Sequence, residues 1–287
     1  MNLSNQLHDL VLLNIGHVVH HADWNFEGIY SHFSRIYLVD KGEAWIIVEG
    51  VKHHLMPGFL YLIPAFTRHT DMSEGEFSHY YIHVLESTNQ RISIFDQYRF
   101  PVGVPISLFD NELVKRLYDI NPSYALQSSS PLAYDNQSTL LANLERYQKQ
   151  SLALQFETKG ILLQLLSRFL EHAIPMQVDK QSRILQALHY IMEHLSDPLT
   201  VSELANYSLL SKDHFIRLFR RDVGVTPIDY IVQKRIESAQ IALVMECKSV
   251  NEIAYSLGFR NLSHFNRLFK RITGMTPTEY KRMRLIE

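Results

Sequence analysis

The chain has one cysteine, Cys247, in 287 residues. A single thiol closes no intrachain disulfide and has no second thiol to share a metal, which fits a reducing compartment. Its plain reading is a small buried or half-buried side chain on a helix. Long apolar runs are missing too: nothing approaches the roughly 18 uninterrupted apolar residues of a membrane span. The opening MNLSNQLHDLVLLNIGHVVHH has no basic region ahead of its short apolar stretch, which Asn14 interrupts. Neither a leader nor a membrane partner is therefore expected, and the expected location is the cytoplasm. With 46% hydrophobic and 20% charged residues, the composition excludes disordered and fibrous classes, and the length suffices for two domains with separate cores.

Net charge is also small, at -2. It hides an asymmetry. Of 28 basic and 30 acidic residues, 16 and 11 fall from residue 180 onward, so that part carries +5 and the remainder -7. A basic end on an acidic body points to a polyanion as partner of that end, although charge runs more often form a solvated face.

Between residues 30 and 85 the segments SRIYLV, EAWIIVE, FLYLIP and FSHYYIHVL alternate as strands do. Turn pairs Lys41-Gly42, Glu49-Gly50 and Pro57-Gly58 separate them. Short strands at this spacing predict a small barrel or sandwich. A short helical pattern follows near 110–120, then a Pro-, Ser- and Asn-rich loop, NPSYALQSSSPLAYDNQ. Leucines return at helical spacing over 138–172, predicting one or two amphipathic helices. Pro175 ends that pattern, and a new helix is expected from about Lys180 to Leu195.

The rest of the chain contains its own duplicate. HFIRLFRRDVGVTPIDY, from His214 to Tyr230, matches HFNRLFKRITGMTPTEY, from His264 to Tyr280, at ten of 17 positions with a constant offset of 50. Upstream, Glu203/Glu252, Leu204/Ile253 and Ala205/Ala254 match at an offset of 49. The second copy thus has one extra residue between these blocks, which belongs in a turn: at SLLSK in the first copy and LGFRN in the second. Each copy then reads as helix, turn, helix. Ser211 is placed to cap the second helix of copy one, Gly224 and Gly274 fall where a left-handed residue ends a helix, and Thr226-Pro227 and Thr276-Pro277 launch another.

On these second helices Phe215, Leu218, Phe219 and Val223, and Phe265, Leu268, Phe269 and Ile272, form a core face. The opposite faces carry Asp213, Ile216, Arg217 and Arg220 in one copy and Ser263, Asn266, Arg267 and Lys270 in the other. Such a face can be merely solvated. At the amino end of the second helix of a helix-turn-helix, however, these side chains suit phosphate and base-edge contacts on double-stranded DNA. Ser211, Lys212 and Asn261 at the helix starts complete the candidate DNA-binding set. Asp213 is the exception, since a carboxylate accepts only from cytosine N4 or a water and repels phosphate. For His214 and His264 a packing or helix-start role is expected.

Residues 180–287, closing on GFRNLSHFNRLFKRITGMTPTEYKR, resemble the DNA-binding domain of AraC/XylS regulators. The resemblance implies seven helices, two helix-turn-helix units at about 199–223 and 249–273, and recognition helices entering successive major grooves. It also implies a transcription regulator, an activator of catabolic genes, working with RNA polymerase.

The strand region resembles the cupin-like barrel that precedes this domain in many such regulators, through Gly58, Pro64 and His69. It departs from metal-using cupins, with Phe66 in place of a glycine, Arg35 in place of a glutamate and no His-x-His ahead of it. One histidine does not make a metal site, so no cofactor or catalysis is expected; the alternative is a metal-dependent cupin enzyme fused to a DNA-binding tail. On alternating positions Arg35, Tyr37, Phe77, His79, Tyr81 and His83, with His69, are candidates for holding a small polar effector such as a sugar, although aromatics at this period also fill cores. The whole chain then reads as an α+β protein of two domains. Residues 1–175 form a cupin-like sensor, with the barrel at about 25–100 and helices at about 110–172 that the resemblance marks as homodimerising. Residues 180–287 form the all-α double helix-turn-helix.

Overall fold

The computed structural model describes residues 9–87, 92–175, 183–245 and 248–284. In chain order the elements are β1 (Asp9–His21), β2 (Phe26–Ile29), β3 (Ser34–Lys41), β4 (Ala44–Val48), β5 (Val51–Leu55), β6 (Phe59–Ile63), β7 (His69–Met72) and β8 (Glu76–Ser87). Then come α1 (Ile94–Gln97), β9 (Tyr98–Arg99), β10 (Gly103–Pro105), α2 (Leu108–Ile120), α3 (Pro131–Tyr134), α4 (Gln137–Lys149), α5 (Leu152–Leu170) and β11 (Ile174–Pro175). The chain closes on α6 (Arg183–Glu193), α7 (Val201–Tyr207), α8 (Lys212–Val223), α9 (Pro227–Met245), α10 (Val250–Ser256), α11 (Leu262–Thr273) and α12 (Pro277–Arg284). Cys247 and the start of the expected helix at Lys180 lie outside the described residues.

Two compact units result: residues 9–87 with 100–173, and residues 92–99 with the described residues from 174 onward. In the first, a five-stranded sheet ordered β1-β8-β3-β6-β10 and a four-stranded sheet ordered β2-β7-β4-β5 are antiparallel throughout. Side chains from both sheets share one core, including Tyr37, Ile46, Leu55, Tyr61, Ile63 and Phe77. Glu49 and Gly50, both at positive φ (51° and 80°), form the two-residue turn that puts Val48 opposite Val51, the hairpin geometry that matches strand twist.

The barrel begins at Asp9 rather than near residue 25, and its long first strand pairs with β8 from Asp9/Ser87 to His21/Glu76. Alternation does not reveal β1, because Leu10 through Ile15 are all buried. Helices α2, α4 and α5 pack on its outer face, and a strand covered on both faces reads as a continuous apolar run. The helices expected over 138–172 are α4 and α5, separated at Gln150-Ser151, with Ser151 capping the second. Four of the leucines that mark them are taken up inside their own unit: Leu140, Leu162, Leu165 and Leu166 are buried.

Residues 92–99, inside the expected barrel bounds of about 25–100, belong instead to the second unit. Ile92 is buried among Ile184, Leu188, Leu204, Phe215 and Tyr230, and β9 pairs with β11. On α9 the Lys234 Nζ donates to Asp96 and Glu237, both at 2.8 Å. Burial opposes the ammonium charge, yet the two carboxylates outweigh it and hold Lys234 well above the usual lysine range.

Candidate functional site

Both copies of the repeat fold the same way, for the same local reasons. Thr200 and Glu203 form a capping box at the start of α7, and Ser249 and Glu252 form its counterpart at α10, which accounts for the paired glutamates. Leu210 N donates to Ala205 O at 2.9 Å, and Phe259 N donates to Ala254 O at 3.1 Å. These equivalent bonds bring the two turns into register as far as Leu210 and Phe259, and the extra residue of the second copy is Arg260, an exposed turn residue. Helices α8 and α11 end on Gly224 and Gly274 in left-handed conformation, at φ 88° and 89°. Thr226 then accepts from Asp229 N and Thr276 from Glu279 N, both at 3.2 Å, starting α9 and α12. Each recognition helix is pinned to its unit by a chain of rings, with Phe219 edge-on to Tyr230 and Phe269 edge-on to Tyr280.

The starts of the two second helices differ, and the cap expected at Ser211 is not formed. Asn261 accepts from His264 N at 2.9 Å, whereas Ser211 occupies the cap position of α8 without a side-chain bond. His214 and His264 sit in the first turns of their helices and are exposed, so neither packs in the core. Lys212, Asp213, Arg217 and Arg220 are exposed and Ile216 is half-buried; Ser263, Arg267 and Lys270 are exposed and Asn266 is half-buried. Arg221 differs from these arginines in being held by Asp222, Nε to carboxylate 2.6 Å. Each unit therefore presents a polar, arginine-bearing stripe along the outer face of its second helix, and the 19-residue α9 separates the units by about 28 Å of helix at 1.5 Å per residue. Major grooves on one face of B-form DNA recur about every 34 Å.

In the barrel unit all seven candidate effector residues are buried. The strand register explains why: Arg35, Tyr37 and Val39 of β3 stand opposite His83, Tyr81 and His79 of β8, on one face of the sheet. A cavity of about 210 Å³ is lined by Tyr37, His79, Tyr81 and His83, and by His17, His20, Trp24, Tyr118, Tyr134 and residues 125–129. Arg35, His69 and Phe77 do not line it. Alternation marks the face a residue occupies but not its depth in the barrel, and the second wall comes from a loop that reads only as Pro, Ser and Asn.

Burial holds the imidazoles of His79 and His83 well below the usual histidine range, so these two rings are uncharged at neutral pH. Behind them, the Arg35 guanidinium donates to Ser31 Oγ at 2.8 Å. Burial opposes its charge, but Tyr134, Tyr37 and Asp135 prevail and keep it protonated. Burial also pulls His69 down to about 3 and pushes Asp71 up to about 7. Among the described residues no three His, Cys, Asp or Glu side chains converge as a metal-ligand set, and no helix is long and apolar enough to cross a membrane.

This geometry defines a tandem helix-turn-helix domain, and residues 204–283 match the family described as helix-turn-helix domain. The C-terminal unit therefore contains a helix-turn-helix domain. The protein described as Probable transcriptional regulator LumQ, from Photobacterium leiognathi, is 30% identical over 69 residues, 24% of this chain. The match spans only 28% of that relative's length. Over nearly the whole chain the fold is shared with ToxT from Vibrio cholerae. An apo ToxT variant aligns with a TM-score of 0.52 at 13% identity, covering 94% of this chain and 98% of that one. The unsaturated fatty acid bound wild-type ToxT aligns with a TM-score of 0.52 at 14% identity, covering 98% of each chain. At these identities the likeness concerns the fold alone.

Proposed function

We propose that this protein is a sequence-specific, DNA-binding transcription regulator that responds to a small uncharged polar effector. The duplicated recognition helix carries the reading: two copies of one helix-turn-helix, each exposing an arginine-bearing stripe, joined by a helix of nearly the length that separates successive major grooves. The base-facing residues on this reading are Ile216 and Arg217 in one unit and Ser263, Asn266 and Arg267 in the other. Lys212, Arg220 and Lys270 meet phosphate, and Ser211 and Asn261 meet the backbone near the helix starts. Asp213 would contact DNA only through cytosine or water.

The effector reading rests on the cavity, whose imidazoles and phenols offer donors and acceptors, the rings of His79 and His83 without charge, a lining suited to a sugar or similar polyol. A long acyl chain would leave these polar groups unpaired, so the unsaturated fatty acid bound to ToxT is not carried over to this chain. A regulator of this kind acts in the cytoplasm with RNA polymerase and DNA as partners and performs no catalysis. Activation of catabolic genes is the output most consistent with sugar sensing. Effector binding shifts the chain between two states only through different affinity for them. Selection of binding sites from randomised duplex DNA, followed by footprinting, tests the reading. The expected result is two protected patches on one face, about 10 base pairs apart; recovery of no enriched sequence would overturn it.

A further inference from the structure

Among the described residues, one side chain joins the two helix-turn-helix units directly. Arg235, on α9, donates from Nε to Leu195 O at 2.8 Å and from Nη2 to Asp197 O at 2.5 Å, both in the segment between α6 and α7 of the first unit. Its remaining arm, Nη1, donates to Gly258 O at 3.2 Å, in the turn of the second unit. The guanidinium also lies over the Phe259 ring, 5.7 Å from its centroid. A planar fork with fixed donor directions holds three carbonyls in one mutual arrangement, which a lysine ammonium does not.

A second observation, independent of the hydrogen bonds, places the units in contact at the same point. A Cβ on Gly258 would fall 2.6 Å from Ser196 O and 2.9 Å from Arg235 Nη2. The equivalent position of the first unit is Leu209, which adopts the same left-handed conformation, φ 53° against 77° for Gly258. Leu209 is 79% exposed. The turn itself therefore accepts a side chain, at some conformational cost. What demands glycine in the second copy is the backbone of the first unit pressed against it.

We propose that Arg235 and Gly258 form a clamp that fixes the angle and separation of the two recognition helices, and so sets which half-site spacing the protein accepts on DNA. Arg235 is a positioning residue that touches neither base nor phosphate in this role. The inference rests on the DNA-reading function proposed above. One inserted base pair rotates the second half-site by about 34° and moves it about 3.4 Å, so a rigid pair of units rejects it while a hinged pair follows.

The test uses the full chain and an operator selected by the wild-type protein from randomised duplex DNA, with versions lengthened and shortened by one base pair between the half-sites. Wild type is expected to bind both shifted operators at least about tenfold more weakly than the selected one, a difference equivalent to about 1.4 kcal/mol. In Arg235→Gln the ratio of selected to shifted affinity should shrink at least threefold, with Arg235→Lys intermediate. Gly258→Ala, which separates the units by steric contact instead of by lost bonds, should shrink it as well and supplies the readout if Arg235→Gln fails to fold. A general loss of stability lowers affinity for all three operators by one factor and leaves the ratio unchanged. That result, or a wild type indifferent to spacing, overturns the clamp. Failure of wild type to select any operator overturns instead the DNA-reading function itself.

Discussion

The rings of His83 and Tyr134 stand 4.9 Å apart and tie strand β8 to the short helix α3. This contact closes the cavity with a loop more than forty residues beyond the last barrel strand the wall draws on, and Tyr134 OH reaches toward Arg35 Nη2 at 3.5 Å. If the cavity holds the effector, uncharged sugars and polyols screened by thermal shift should include one that stabilises the chain, by about 2.7 kcal/mol at a hundredfold excess over Kd. Tyr134→Ala and His83→Phe should abolish that increment without altering DNA affinity in the absence of ligand. An increment unchanged in both variants would place the ligand elsewhere.

Stability should fall in mild acid. Burial keeps His69, His79 and His83 neutral in the folded chain, while the unfolded chain protonates them below about pH 6.5. Each therefore contributes stability that is lost as the pH drops from about 6.5 toward its folded pKa. Asp71 acts in the opposite direction: raised to about 7 by burial, it binds a proton in the folded chain that the unfolded chain has released above about pH 4. Three histidines outweigh one carboxyl, and at up to about 1.4 kcal/mol per group per pH unit the net loss between pH 6 and 5 is about 2–3 kcal/mol. Both tryptophans, Trp24 and Trp45, lie in the barrel unit, so denaturant titrations followed by their fluorescence measure it. Equal midpoints at pH 6 and 5 would contradict the burial of neutral imidazoles.

Arg217→Ala and Arg267→Ala should each weaken specific DNA binding by about 1–3 kcal/mol and relax preference only at base pairs under their own helix. Lys270→Ala should weaken binding to all sequences alike and lower the salt slope by about one, because a phosphate contact releases a counterion without reading sequence. Titrations across salt on the selected operator decide between the two behaviours. Wild-type affinity in both arginine variants would remove α8 and α11 from the major groove.

The two helix starts should respond differently to the same kind of change. Asn261→Ala removes the bond to His264 N and should cost about 1 kcal/mol of stability. Ser211→Ala removes no cap bond and should change stability by less than about 0.5 kcal/mol, as an exposed substitution does. Far-ultraviolet circular dichroism during urea unfolding measures both, and equal losses would refute the distinction.

Self-association, if present, has a defined place to act. Leu152 and Phe156, one turn apart on α5, are 67% and 69% exposed, and an exposed apolar pair of this kind fits a homodimer surface. Sedimentation at tens of micromolar, suited to weak dimers, should show a dimer for wild type and a monomer for Phe156→Asp. A monomeric wild type would remove the idea.

The double helix-turn-helix was legible from the residues alone because its determinants are local and occur twice. Ring positions at helical spacing, Gly224 and Gly274 after the second helices, and the Thr-Pro pairs after them each act within a turn or two of chain. The strand alternation of β3, β4, β6 and β8 was legible for the same reason, since one inward face leaves a period of two. Tertiary contacts decided the rest. Strand β1 is covered on both faces and loses its period, residues 92–99 join the second unit through Ile92 and the Asp96–Lys234 bond, and the cavity depends on Tyr134. Gly258 shows the division most clearly: its left-handed turn could be read from its own copy of the repeat, but the need for glycine there arises from Ser196, more than sixty residues earlier. No local pattern records such a contact, because what excludes the side chain is the backbone of another element, and only the folded chain brings the two together.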